Sequence, residues 1–246
     1  MMKAVQTIGL TKKYKEKTAV DALDLSIEEG ELFSLLGVNG AGKTTTIRML
    51  TCLSAPTSGQ AFVCGHDTIT DSDAVKRIVG VSPQETAVAE NLTVKENLEF
   101  MARIYGFSAE KTRVRISDMT RLFRLDEVLA SRARTLSGGW KRKLSIAMAL
   151  ISEPSVLFLD EPTLGLDVLA RRELWAAVNS LKGKITIILT THYMEEAEQL
   201  SDRIAIMVGG KVHAIGTISE LEKQTGETGL ENVFVKIAEQ VGGGQA

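Results

Sequence analysis

The chain has 246 residues, 44 % of them hydrophobic, and its 29 basic and 31 acidic side chains leave a formal charge of −2. That is enough apolar content for one substantial core, and the charge balance offers no global electrostatic case for nucleic acid or an anionic membrane as a direct partner. Cys52 and Cys64 form no close-spaced metal pair and read as small buried apolar residues of a reducing compartment. No apolar run approaches the roughly 20 residues that a spanning helix needs, and residues 1–6 carry no secretory-type apolar segment, so a cytosolic protein is expected.

From residue 5 to residue 36, apolar alternation broken by turn residues predicts several strands, with Glu28-Glu29-Gly30-Glu31 turning the chain before the last of them. That last strand, Leu32-Phe33-Ser34-Leu35-Leu36, runs into Gly37-Val38-Asn39-Gly40-Ala41-Gly42-Lys43-Thr44. Thr45-Thr46-Ile47-Arg48-Met49-Leu50 then continues as a helix. Strand, glycine loop and helix in that order predict a clamp for nucleotide phosphates. Three glycines let the loop aim several N–H groups inward, and the helix starting near Lys43 adds the partial positive charge of its N-terminus. Gly37, Asn39, Gly40, Ala41, Gly42 and Thr45 are therefore expected nucleotide contacts. Lys43 would reach the outer phosphates and Thr44 would ligate Mg²⁺.

Residues 60–64 read as a further strand, and the stretch 93–152 changes character. Thr93-Val94-Lys95-Glu96 opens with an N-cap residue and a glutamate three positions on, followed by helical apolar spacing. The helical insertion is placed at about 87–152. Near its end, Ser137 precedes a helix expected to carry Trp140, Leu144, Ala147 and Ile151 along one face. Pro154 marks the return to Val156-Leu157-Phe158-Leu159, a short buried strand that delivers Asp160 and Glu161 at its end. A helix over 168–181, a strand over 185–189, a short helix over 195–200 and a strand over 204–208 complete the alternation. Strands alternating with helices argue for a mainly parallel sheet with nucleotide at its carboxyl edge. Gly242-Gly243-Gly244-Gln245-Ala246 reads as a flexible tail.

Leu136-Ser137-Gly138-Gly139, followed by Trp140-Lys141-Arg142-Lys143-Leu144, resembles the signature of the ABC (ATP-binding cassette) ATPases, and with the phosphate loop the resemblance spans nearly the whole chain. It implies a single cassette over 1–246: an α/β P-loop NTPase (RecA-like) core with a mainly parallel sheet, an antiparallel β subdomain and an inserted helical subdomain. It also implies that two cassettes pack head to tail, so that Ser137, Gly138 and Gly139 of one chain cover the γ-phosphate held by the other. The physical sense is that a serine hydroxyl and glycine N–H groups at a helix N-terminus make a second anion-binding surface. Trp140 departs from the usual glutamine. Its ring could pack on the facing chain or on its own subdomain, and the sequence leaves both open.

The same resemblance assigns Asp160 to Mg²⁺ and Glu161 to polarising the attacking water. His192, just after Ile185-Thr186-Ile187-Ile188-Leu189-Thr190-Thr191, matches the histidine that orients the water and the γ-phosphate. Gln84, within Val81-Ser82-Pro83-Gln84-Glu85, matches the glutamine that contacts Mg²⁺ or water, and the loop after it would meet a membrane partner. Asp167, in Leu164-Gly165-Leu166-Asp167, would touch the opposite chain, and Tyr14 would stack on adenine. His66 and His213 have no such context. Expected cofactors are ATP and Mg²⁺. Expected partners are a second ATPase subunit, a homodimer, and separate transmembrane permease subunits that hold the chain on the cytoplasmic face of the membrane. Thr190-Thr191-His192-Tyr193-Met194-Glu195-Glu196-Ala197-Glu198 resembles the drug- and lipid-exporter branch and favours export. The alternatives are an importer cassette and a soluble cassette acting on nucleic acid or ribosomes, although the long coiled-coil insertions, zinc motifs and second cassette usual in the latter are absent.

Overall fold

A computed structural model describes residues 3–242. The tail expected at 242–246 therefore falls, from 243 onward, outside the described residues. The chain forms two compact units, the first running up to Arg77 and again from Lys182, the second covering Ile78–Leu181.

The first leg contains β1 (Lys3–Tyr14), β2 (Lys17–Glu28), β3 (Leu32–Leu36), α1 (Lys43–Leu50), β4 (Ser58–Val63), β5 (His66–Asp67) and α2 (Ser72–Ile78). The second unit follows with β6 (Val79–Ser82), α3 (Val94–Ile104), α4 (Ala109–Phe123), α5 (Gly138–Leu150), β7 (Val156–Asp160) and α6 (Val168–Asn179). The chain then returns to the first unit through β8 (Thr186–Thr191), α7 (Met194–Leu200), β9 (Arg203–Val208), β10 (Lys211–Gly216), α8 (Ile218–Thr225) and α9 (Leu230–Gly242).

Within the first unit, β2, β1, β4 and β5 make an antiparallel sheet in that order. A separate layer sets β3 between β8 and β9 with both pairs parallel, while β10 closes its edge antiparallel to β9. Every residue of β3 and β8 is buried, Ser34 included, in keeping with strands built of apolar and small hydroxyl residues and covered on both faces. The register pairs Leu36 with Thr191, so the residues that follow β3 and β8 leave the sheet at the same edge. In the second unit β6 and β7 pair in parallel, and α5 packs against both strands and against α3, α4 and α6.

That central position changes the character of α5. The sequence suggests one apolar face, yet every residue from Arg142 to Leu150 is buried. Helices and strands enclose it all round, so the polar residues of its first turns must find partners inside the unit.

Beyond the elements expected from the sequence the structure has β5, α2 and β6, and towards the C-terminal end β10, α8 and α9. Leu221, Leu230, Val233, Phe234 and Ile237 from these helices pack on Ile204 and Ile206 of β9. Their signal is Thr217-Ile218-Ser219-Glu220, a capping box that opens α8.

The expected Thr93/Glu96 box at α3 also forms. Thr93 Oγ1 accepts from the Glu96 N–H at 3.1 Å, and the Glu96 carboxylate accepts from the Thr93 N–H at 2.7 Å. The backbone bond first, then the side-chain bond, holds Glu96 below the usual carboxylate range, and Glu220 is held down in the same way. A carboxyl depressed on folding stabilises fully above its unfolded range, and that contribution is lost as pH falls through the folded value. Thr93→Ala, by removing the N-cap of α3, should lower stability by about 1 kcal/mol at neutral pH. The difference from wild type should shrink in acid, where Glu96 is protonated and the box is already weakened; urea unfolding at both pH values measures it.

Cys52 and Cys64 are free and half-buried rather than buried, and partial burial pushes both thiols up.

Candidate functional site

In the first unit the glycine loop joins β3 to α1. Gly42, at the N-cap of α1, has φ +109°, and a Cβ there would lie 2.4 Å from the Ala19 carbonyl oxygen. Only glycine fits, and α1 starts directly after the tight bend it permits. The loop is braced from outside. The Gly37 N–H donates to the Thr191 carbonyl at 3.2 Å, and the Gly210 N–H donates to the Ala41 carbonyl at 3.0 Å. Lys43, 5 % exposed, donates from Nζ to the Gly37 carbonyl at 2.6 Å and to the Val38 carbonyl at 3.3 Å. Its ammonium is thereby drawn back over the loop.

His192 follows Thr191, whose carbonyl takes the Gly37 N–H, so the imidazole is tethered to the loop by one residue of chain. Its ring centroid lies 4.1 Å from that of Tyr193, and the Tyr193 N–H donates to Thr191 Oγ1 at 2.9 Å, fixing the exit from β8. Tyr14 ends β1 with its ring exposed, and Lys12 Nζ lies 5.1 Å from the ring centroid. His66 is exposed on β5, and His213 Nε2 meets the Val208 carbonyl at 3.2 Å, an internal contact of the β9–β10 hairpin.

In the second unit β7 delivers Asp160 and Glu161, each only 4 % exposed. Glu161 has φ +49°, in the left-handed region that a non-glycine residue occupies at a cost of about 1 kcal/mol or more. Thr163 Oγ1, two residues on, is buried without a hydrogen-bond partner. Asp167 caps α6, its Oδ1 accepting the Ala170 N–H at 2.9 Å. Leu164, in the turn before α6, and Val168 and Leu169, in its first turn, flank it as exposed apolar side chains.

Ser137 occupies the N-cap position of α5, where a serine hydroxyl normally accepts from the first turn. It makes no such bond, and Ser137 and Gly138 are exposed. Trp140 lies against its own helix, with Lys143 Nζ 4.4 Å from the ring centroid. The ring thus covers a cation of the same unit and stays partly exposed.

The basic run Lys141-Arg142-Lys143, which as a sequence looks like a solvated face, holds the loop around 83–90 at two points and α6 at a third. Lys141 Nζ meets Glu90 Oε1 at 3.0 Å, and Lys143 Nζ meets Glu173 Oε2 at 2.6 Å. Arg142, 4 % exposed, donates to the Pro83 carbonyl at 2.6 Å and to the Gln84 carbonyl. Gln84 is thus held by its backbone, and its side chain is exposed. Further along the same loop, the buried Asn97 side chain accepts the Ala89 N–H at 2.8 Å and donates to the Ala89 carbonyl at 3.1 Å. Arg142 and Asn97 had no signal in the sequence beyond lying within the insertion.

A buried strand, a glycine loop whose cap is left-handed, and a helix, set in an α/β fold with parallel strands, define a P-loop nucleotide-binding protein. Residues 20–164 match the ABC transporter family. Daunorubicin resistance ATP-binding protein DrrA3 of Streptomyces coeruleorubidus is 42 % identical over 97 % of this chain and 76 % of the relative. The daunorubicin/doxorubicin resistance ATP-binding protein DrrA of Streptomyces peucetius is 43 % identical over 93 % of this chain and 69 % of its own length. A solved ATP-binding subunit of an ABC transporter superposes with a TM-score of 0.87 at 31 % identity, covering 96 % of this chain and 99 % of that one. A dimeric ATP-binding cassette in a post-hydrolysis state with ADP and Pi gives a TM-score of 0.79 at 27 % identity, covering 87 % and 98 %. The chain belongs to the ABC transporter family, as an ATP-hydrolysing cassette that powers a transporter.

Proposed function

We propose that two copies of this chain close head to tail on two ATP molecules and reopen after hydrolysis, driving a separate membrane-spanning partner in export. The observation that carries this reading is Ser137: an exposed N-cap serine that leaves its own helix uncapped offers its hydroxyl and the amides behind it to an anion from outside the chain. Among the described residues no helix is long and apolar enough to cross a membrane, so the pathway is assigned to the partner. The drug-resistance relatives and the segment Thr190 to Glu198 favour export.

In this reading Gly37, Asn39, Gly40, Ala41, Gly42, Lys43, Thr44 and Thr45 hold the phosphates, and Tyr14 stacks on adenine. Ser137, Gly138, Gly139 and Asp167 reach across from the second chain. Thr44, Asp160 and Gln84 offer a hydroxyl, a carboxylate and an amide oxygen, the hard-oxygen set that Mg²⁺ takes beside phosphate oxygens and water. When bound, Mg²⁺ neutralises developing charge on the phosphates. Glu161 polarises the attacking water, and its left-handed backbone supports a functional constraint at that position. His192 positions the water and the γ-phosphate.

Coupling to the permease is assigned to the loop from Gln84 to Asn91. Arg142 anchors the loop at Gln84 and Asn97 anchors it at Ala89, so a push on the segment between them is transmitted to α3 and α5 rather than dissipated. Val88 lies half-buried between the anchors. Val88→Asp should weaken assembly with the cognate permease and transport in vesicles while ATP binding by the isolated chain stays intact. Unaltered crosslinking and transport in the mutant would move the coupling surface elsewhere.

A further inference from the structure

Ser137 and Asp167, the two segments assigned above to contact with the second chain, are the N-caps of α5 and α6 in the same unit. These helices are tied together near their starts in two successive rungs. At the first, a Cβ on Gly139 would meet the Ala170 Cβ at 3.3 Å, so the helices approach closely and leave little room for a side chain. At the second, one turn further along both, Lys143 Nζ donates to Glu173 Oε2 at 2.6 Å.

The second rung is covered. Lys143 is only 6 % exposed although it carries a charge, and an ammonium withdrawn from water is tolerated where a counter-charge and further partners replace its hydration. Glu173 supplies the charge from a half-exposed position, and its carboxyl is held below the usual range chiefly by the Lys143 hydrogen bond. The Trp140 ring, 4.4 Å from the same ammonium, adds cation–π attraction and keeps water off that side. A glutamine in place of Trp140 would lack the aromatic face.

We propose that Trp140, Lys143 and Glu173 form a strut that fixes the start of α5 to the start of α6, so that Ser137 and Asp167 meet the second chain as one rigid pair. The proposal rests on the reading of Ser137 and Asp167 as that meeting surface. Lys143 and Glu173 are positioning residues. Their loss leaves the phosphate loop of the same chain untouched, but it obliges two helix ends to be ordered separately when the dimer closes.

The test uses the full chain with Lys143→Met, Glu173→Gln, the double variant, Trp140→Gln and Lys143→Arg. Fluorescent ATP binding under monomeric conditions should stay within about twofold of wild type in all of them, while kcat falls about five- to tenfold in Lys143→Met and in Glu173→Gln. Mg-ATP-driven dimerisation in a Glu161→Gln background should weaken by a similar factor. The double variant should be no worse than either single variant, because both remove the same contact. Lys143→Arg should recover most of the loss, and Trp140→Gln should make dimerisation more sensitive to salt. Glu173 is exposed enough for its amide to fold normally, so it carries the test even if Lys143→Met does not fold. Unchanged kcat and dimerisation in Glu173→Gln would overturn the strut, as would a loss that Lys143→Arg fails to restore. Ser137→Arg separates the two levels. If it blocks closure while Glu173→Gln does not, the strut alone falls; if it leaves closure intact, the underlying reading of Ser137 falls.

Discussion

Replacing Glu161 by glutamine is expected to leave ATP bound and to stop its hydrolysis. The amide keeps the size of the side chain at a buried position but cannot draw a proton from water, so phosphate release should fall by about 10²- to 10⁴-fold. Because the step that reopens the pair is blocked, Mg-ATP should then hold two chains together. Light scattering would record a dimer that persists with Mg-ATP and dissociates when nucleotide is removed. Near-normal turnover would take Glu161 out of its assigned role and leave its left-handed backbone without a functional account.

A second large effect is expected from mixing two inactive variants. Lys43→Ala removes a charged donor from the phosphate loop, and the loss of hydrogen bonds to a charged group predicts about 10- to 150-fold weaker nucleotide binding. Ser137→Arg leaves that loop alone and puts a bulky cation at the exposed tip of α5, so ATP still binds but closure fails. In a mixed dimer one composite site carries both lesions, and the other has intact Lys43 and intact Ser137. At equal mixing about half of the dimers are mixed and each keeps one of two sites, so roughly a quarter of wild-type ATPase should return where neither variant alone has activity. Failure to recover any rate, with mixed dimers shown to form, would mean that the two residues do not share a site.

Much of this arrangement is legible in the sequence because the chemistry of phosphate demands local patterns. Gly37 to Thr44 must be contiguous, since one bend has to present several amides and one helix start to the same ligand. The strand that ends in Asp160 and Glu161 is legible for a related reason: an uninterrupted apolar run cannot tolerate two carboxylates except where it leaves the sheet. The C-terminal β10, α8 and α9 were within reach too, through the Thr217/Glu220 capping box, although nothing in their composition ties them to nucleotide.

Arg142, Asn97 and the partner of Lys143 belong to a different category. Each acts through backbone carbonyls or side chains that are distant in the chain, as when Arg142 reaches Pro83 and Gln84 or Lys143 reaches Glu173. A run of three basic residues looks the same in sequence whether water or protein surrounds it. Trp140 posed the same difficulty, because an indole ring carries no directional code until its neighbours are placed.

The sequence by itself determined the class of chemistry and pointed to the residues proposed to face phosphate, because those requirements are satisfied by neighbours in the chain. Only the tertiary structure decided which polar groups of α5 are withdrawn from water and what holds them. Burial and pairing depend on residues brought together from segments dozens of positions apart, and desolvation makes the choice of partner energetically decisive.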